Sequence, residues 1–254
     1  MAYVHGYAAR ESERLGDQAD ALIELLHHDT AYPAGSRVLE AGCGVGAQTQ
    51  ALAARSPDAH FTSIDVSAES LAIARERVTA GNVEFVEADL HSFDAEPFDH
   101  VFVCFVLEHL RDPYAALRRL KTLLKPGGTL TVIEGDHGST YFHPESAAAD
   151  DAIDCLVRLQ NGDAKIGRRL YPLLTEAGFG GVQVSPRMVY VDASKPELVE
   201  GFTLRTFTAM IEGVREPAVT AGLIDADRFD QGISDLAATE TFSYTFFKAV
   251  ASRG

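Results

Sequence analysis

The chain has 254 residues, enough to bury one substantial core, and sets 37 acidic side chains against 22 lysines and arginines for a formal charge of −15. That balance repels a phosphate backbone or an anionic bilayer, so it argues against nucleic acid and membrane surfaces as partners. With 46% hydrophobic and 23% charged residues and no low-complexity tract, the composition is that of a globular protein.

The first stretch, Tyr3 to His28, reads as amphipathic helix, with Leu15, Leu22, Leu25 and Leu26 at helical spacing and "AYPAGS" as its break. It forms an N-terminal helical cap, residues 1–32, ahead of a main domain over residues 33–254. Being polar and charged early, it lacks the apolar core of a signal peptide, and no later run is long enough to span a bilayer. Cys43, Cys104 and Cys155 make no C-x-x-C pair, which fits reduced thiols and a cytoplasmic protein.

Apolar runs then alternate with helical patterns: strand "RVLEAG", helix "GAQTQALAARS", strand "HFTSID", helix "SAESLAIARERVTA", strands "VEFVEAD" and "HVFVCFV", helix "DPYAALRRLKTLL", strand "TLTVIEG". This rhythm predicts an α/β fold with a parallel sheet and helices on both faces. Asp112 caps the helix whose first turn holds Pro113, and "KPGG" ends it. The basic spots Arg118/Arg119/Lys121 and Lys165/Arg168/Arg169 read as solvated helix faces. Beyond Gly138, "PESAAADDAIDCLVRLQ" and "IGRRLYPLLTEAGF" read as helices, and "GVQVSPRMVYVD" and "TFSYTFFKAV" as strands. The roughly fifty residues between those strands, about 193–240, carry helical patterns and exceed any hairpin loop. They are expected to form a lid.

Chemistry concentrates behind the first strand. In "VLEAGCGVGAQT", Gly42, Gly44 and Gly46 supply a tight turn on which a ligand rests against the main chain, with Gly46 also allowing close helix packing. The G-x-G-x-G spacing departs from the dinucleotide fingerprint G-x-G-x-x-G, since Ala47 stands at the third glycine position. Glu40 lies just before the turn. Asp65 ends the second strand, where a carboxylate accepts from ribose hydroxyls, and Asp89 follows the third, where it accepts from an adenine amino group. Each aspartate is alternatively a turn cap.

"VLEAGCGVGAQT", "FTSIDVS", "VEFVEADL", "FDHVFVCFVLEHL" and "LKPGGTLTVIE" resemble, in order and spacing, the successive motifs of class I S-adenosylmethionine-dependent methyltransferases. The resemblance covers about residues 36–135 and the last strand pair. It implies a Rossmann-like, seven-stranded, mostly parallel sheet of order 3-2-1-4-5-7-6 with an antiparallel last strand, an N-terminal helical segment and a helical insertion between the last two strands. The cofactor it implies is S-adenosyl-L-methionine, with Gly42 and Gly44 facing the methionine part, Asp65 the ribose, Asp89 and Leu90 the adenine, and the Phe105 carbonyl the methionine amino group. Glu40, Gln48 for the methionine carboxylate, Val66 on the adenine face and Tyr7 over the methionine end complete the expected cofactor set.

The acceptor side is expected after the fifth strand, in "IEGDHGSTYFHPE". His137 is the first choice as base or acceptor-orienting residue, because histidine titrates near neutrality; alternatively Asp136 and His137 cap the loop. Tyr141, Phe142 and His143 are expected to line the acceptor pocket, with Arg14 at the cap and Phe207 in the insertion. Phe202, Leu204, Met210 and Ile211 share the apolar pattern of Phe207, which fits a core face as well as a lid. His27, His28, His60, His91 and His100 fall in no motif, while His109 lies in "LEHL" beside the expected cofactor. No spacing matches a metal motif.

The resulting expectation is methyl transfer to a small, hydrophobic organic acceptor of secondary-metabolite type, by a homo-oligomer. An NAD-dependent oxidoreductase and a non-catalytic nucleoside-binding scaffold are the alternatives.

Overall fold

A computed structural model of the protein describes residues 22–254. Tyr7, Arg14 and Leu15 lie outside the described residues, and with them most of the expected cap. The described chain begins in a helix over residues 22–27, here α1.

Five strands, β1 (Arg37–Ala41), β2 (His60–Asp65), β3 (Val83–Glu87), β4 (Phe98–Cys104) and β5 (Leu124–Gly135), form a parallel sheet in the order β3-β2-β1-β4-β5. Val38, Leu39, Val101, Val103, Leu130 and Val132 in its centre are fully buried. These strands are apolar on both faces because helices cover both. α2 (Ala47–Arg55), α3 (Ala68–Arg77) and α4 (Pro113–Leu123) are the crossovers, and Asp112 caps α4 by accepting the Ala115 N–H at 2.8 Å.

The sheet continues through β8 (Thr241–Ser252), antiparallel to β5, with β7 (Gly180–Asp192) antiparallel on the other side of β8. Numbered without the short strand described next, this is the expected order 3-2-1-4-5-7-6. The sheet has eight strands rather than seven. The additional one, β6 (Tyr141–His143), falls where the sequence suggested an acceptor loop and pairs with the first residues of β8. β5 pairs with the later residues of β8, so the chain leaves the sheet at Asp136–Thr140 and then rejoins the same neighbour.

One face of the sheet packs against α4 and α6 (Leu170–Glu176), through Leu117, Leu120, Leu170 and Leu174. The other packs against α1, α2, α5 (Ala147–Leu159) and the insertion, through Leu22, Leu26, Leu52, Phe102, Phe202 and Phe207. The insertion contains α7 (Pro196–Leu198), a π-helical segment Val199–Thr208, α8 (Ala209–Glu212), α9 (Arg215–Thr220) and α10 (Ala226–Ala237). α10 lies so close to α5 that a Cβ on Gly232 would stand 2.4 Å from the Ala148 carbonyl oxygen. Among the described residues, no helix is long and apolar enough to cross a membrane.

Candidate active site

The turn after β1 needs its glycines for three different reasons. Gly42 has φ +78° and its missing Cβ would stand 2.5 Å from Cγ2 of Val106. Gly46 has φ +74°, and a Cβ there would meet Ala74 of α3 at 3.0 Å, so it serves helix packing as expected. Gly44, at φ +50°, faces open space: nothing lies within 4 Å of its missing Cβ. Of the three, Gly44 leaves room for a ligand beside the main chain.

Asp65 ties this turn to the end of β2. Its Oδ2 accepts the Gly44 N–H at 2.8 Å and its Oδ1 the Ser67 N–H at 2.9 Å, so the turn-capping role and a place in the glycine turn coexist. The next residue, Val66, is 59% exposed, an apolar surface beside the carboxylate. Asp89 is exposed and its Oδ1 accepts the His91 N–H, a local turn, while Leu90 is buried. Phe105 carries the lone positive φ, +57°, among described residues other than glycine, a conformation costing roughly 1–2 kcal/mol for an L-residue. Its ring packs on Phe246 at 5.4 Å.

Two expected cofactor residues point elsewhere in this structure. Glu40 is buried, and its Oε2 accepts both the Thr49 and Ser63 hydroxyls at 2.7 Å, bracing β1 to α2 and β2. Burial pushes its carboxyl up to about 7, against the two hydroxyl hydrogen bonds. Gln48 meets Nε2 of His27 at 2.5 Å, linking α1 to the first turn of α2. His27 belonged to no motif, yet it is fully buried, and that burial lowers its pKa to about 4.

His137 sits where the chain leaves the sheet. It is 6% exposed and both ring nitrogens have partners: Nδ1 lies 2.9 Å from the Tyr244 hydroxyl on β8, and Nε2 lies 3.5 Å from Oε2 of Glu108. Glu108 is also met by Gln160 Nε2 at 3.1 Å and by His109 Nε2 at 3.6 Å. Burial raises the Glu108 carboxyl, but the His109 charge and the His137 hydrogen bond outweigh it and hold the group below the usual carboxylate range. Asp136 is buried, accepts the Gly138 N–H and forms a two-pronged pair with Arg168, at 2.5 and 2.9 Å. Arg168 therefore does not simply belong to a solvated basic face. Its guanidinium neutralises a carboxylate beneath it.

Of the expected acceptor residues, Tyr141 and His143 are exposed. Phe142 and Phe207 instead meet Phe242 inside the core, Phe142 by strand pairing and Phe207 with ring centroids 4.8 Å apart. Phe202 and Phe207 also pack on Tyr244, at 5.9 and 5.7 Å. The apolar stripe of the insertion is thus a core face in this structure. Sequence reading missed Tyr244 and Glu108 as partners of His137, and Gln160 as a further partner of Glu108. The one local signal was a glutamate inside each of the apolar stretches "VLEHL" and "TVIEG".

The family model described as "Methyltransferase domain" matches residues 39–132. An uncharacterized 37.1 kDa protein in transposon TN4556 of Streptomyces fradiae is 33% identical over 228 residues, 85% of this chain and 62% of that protein. A ubiquinone biosynthesis O-methyltransferase of Xanthomonas axonopodis pv. citri (strain 306) is 40% identical over 104 residues, 39% of this chain and 42% of that enzyme. The chain thus spans less than two thirds of the length of either curated relative. Phosphoethanolamine N-methyltransferase 2 of Haemonchus contortus, solved with phosphomonomethylethanolamine and S-adenosylhomocysteine, superposes with a TM-score of 0.56. It is 21% identical, over 92% of this chain and 52% of that one, which is a likeness of fold. Residues 39–132 are therefore similar to a methyltransferase domain, and the described chain shares the α/β fold of a solved methyltransferase.

Proposed function

We propose that the protein binds S-adenosyl-L-methionine along the carboxyl ends of β1 to β4 and methylates a small, hydrophobic organic acceptor of secondary-metabolite type. The observation that carries this reading is the glycine turn tied to Asp65. Gly44 leaves open space, the Asp65 carboxylate stands beside it, and exposed Val66 offers an apolar face next to both. These residues fit a nucleoside bearing an amino-acid tail: Asp65 for the ribose, Val66, Asp89 and Leu90 for the adenine, and Gly42, Gly44 and Phe105 for the methionine end. Glu40 and Gln48 support the turn from below and from the α1 side.

Bound there, S-adenosyl-L-methionine supplies an electrophilic methyl group, so the protein's task is to orient the acceptor and exclude water. His137 takes the acceptor's proton. Because both ring nitrogens are partnered, that proton reaches it through the Tyr244 hydroxyl or by displacing it, while Glu108 stabilises the resulting imidazolium. Tyr141 and His143, exposed on β6, border the acceptor's entry. Residues 1–32, with Tyr7 and Arg14, act as a cap, and residues 193–240 as a lid. The −15 charge supports an acceptor other than nucleic acid.

Thermal unfolding with S-adenosylhomocysteine or NAD as ligand tests this reading. The former at 100 times its Kd adds about 2.7 kcal/mol, a rise of roughly 5–10 °C for a chain of this size. NAD gives no shift. Asp65→Asn weakens S-adenosylhomocysteine by about 1–3 kcal/mol in calorimetry. A shift with NAD alone would replace the proposal with the oxidoreductase reading.

A further inference from the structure

Glu134 is the last residue but one of β5, in a buried part of the sheet, and is itself fully buried. Its Oε1 accepts two backbone N–H groups, from Val106 at 3.1 Å and from Leu107 at 2.7 Å. Its Oε2 is buried with no hydrogen-bond partner among the described residues. The two donors lie directly after Phe105, the non-glycine residue held at positive φ. The same short turn closes on the glycine turn, because the Val106 side chain occupies the space a Cβ on Gly42 would need. One carboxyl group therefore grips a strained turn that forms a wall of the glycine cradle.

The surroundings favour the neutral acid. Cys104 on β4, Glu108 just beyond it and Tyr244 on β8 are titratable groups that interact electrostatically with it, and none of the three is a cation. Burial, and then the Glu108 charge, pushes the Glu134 carboxyl well above the usual range. A neutral carboxyl still accepts two N–H groups through its carbonyl oxygen. So does the side-chain amide of glutamine, which has the same shape.

We propose that Glu134 is a positioning residue that clamps the Phe105–Leu107 turn in its strained conformation and so sets the wall against which the methionine end of the cofactor is held. The proposal rests on the cofactor reading above. Without the clamp the turn relaxes, and part of the binding free energy goes into rebuilding it. With glycine at position 105 the same backbone conformation carries no strain, so the clamp matters less.

The test is a double-mutant cycle read by calorimetric affinity for S-adenosylhomocysteine, on full chains whose folding is checked by circular dichroism. Glu134→Ala is expected to weaken binding about tenfold or more, and Glu134→Gln to stay within about threefold of wild type. In the Phe105→Gly background, Glu134→Ala costs only about two- to threefold. Should Glu134→Ala fail to fold, Glu134→Leu, apolar and similar in volume, takes its place in the cycle. Equal losses in both backgrounds, or a glutamine variant as weak as the alanine one, overturn the clamp. A wild-type chain that fails to bind S-adenosylhomocysteine overturns the cofactor reading instead, so the two failures are distinguishable.

Discussion

At the scale of single residues, Glu40 and His27 touch neighbouring positions of α2, Thr49 and Gln48, and titrate in opposite senses. The folded protein holds the Glu40 proton up to about pH 7, whereas an unfolded chain releases it near the ordinary value of 4.5. Stability from this group is full below pH 4.5 and falls as the pH rises to 7, by roughly 3 kcal/mol at about 1.4 kcal/mol per unit. His27 works the other way. Its folded pKa of about 4 lies below the ordinary 6.5, so its contribution is full above pH 6.5 and is lost as the pH falls toward 4. The two slopes offset each other between about pH 4.5 and 6.5. Glu40→Gln should therefore give a protein whose stability rises with pH across that window, and His27→Gln one whose stability falls. Urea unfolding at pH 5, 6 and 7 reads both slopes, and parallel curves for wild type and Glu40→Gln would mean that Glu40 keeps an ordinary pKa.

At the scale of elements, the glycine turn fixes how α2 enters and how α3 packs against it. Gly46→Ala combines a positive φ with a Cβ 3.0 Å from Ala74 and 3.1 Å from Val78, so a loss of about 2 kcal/mol in unfolding free energy is expected. Denaturant titration with an unchanged m-value checks it. Such effects were legible in the sequence because they are local: glycine spacing, an aspartate at a strand end and a capping aspartate before proline all act within a few residues. Partners folded in from a distance were not legible. Tyr244 lies 107 positions from His137, and Glu134 lies 28 from the N–H it accepts, so neither pairing leaves a pattern in its own neighbourhood. β6 escaped for a related reason: three residues beside a long β8 carry no period of their own, and the partner strand alone makes them a strand. The apolar stripe of the insertion was legible as a stripe. Which surface it covers depended on Phe242, Tyr244 and Phe246, forty residues or so downstream.

At the scale of the whole molecule, the insertion and the sheet share one core. Phe202 and Phe207 rest directly on the aromatic face of β8, and α10 is seated on α5 without room for a side chain at Gly232. The insertion should therefore unfold with the sheet. Near-UV and far-UV circular dichroism should give coincident denaturation curves, and Phe246→Ala, which opens the shared core, should lower the midpoint of both together by an amount corresponding to about 3–5 kcal/mol. A separate early transition in one probe would show the insertion to be an independent unit.

β8 has three partners, β5 and β6 along one side and β7 along the other, and it follows all of them in the chain. During synthesis the edges of those strands stay unpaired until residues 241–252 have emerged from the ribosome, and only then can the sheet be completed. Pairings of such long sequence separation form slowly, and open strand edges attract other chains. A nascent chain stalled before residue 241 is thus strongly exposed to aggregation, which gives β8 a kinetic importance for the yield of folded protein.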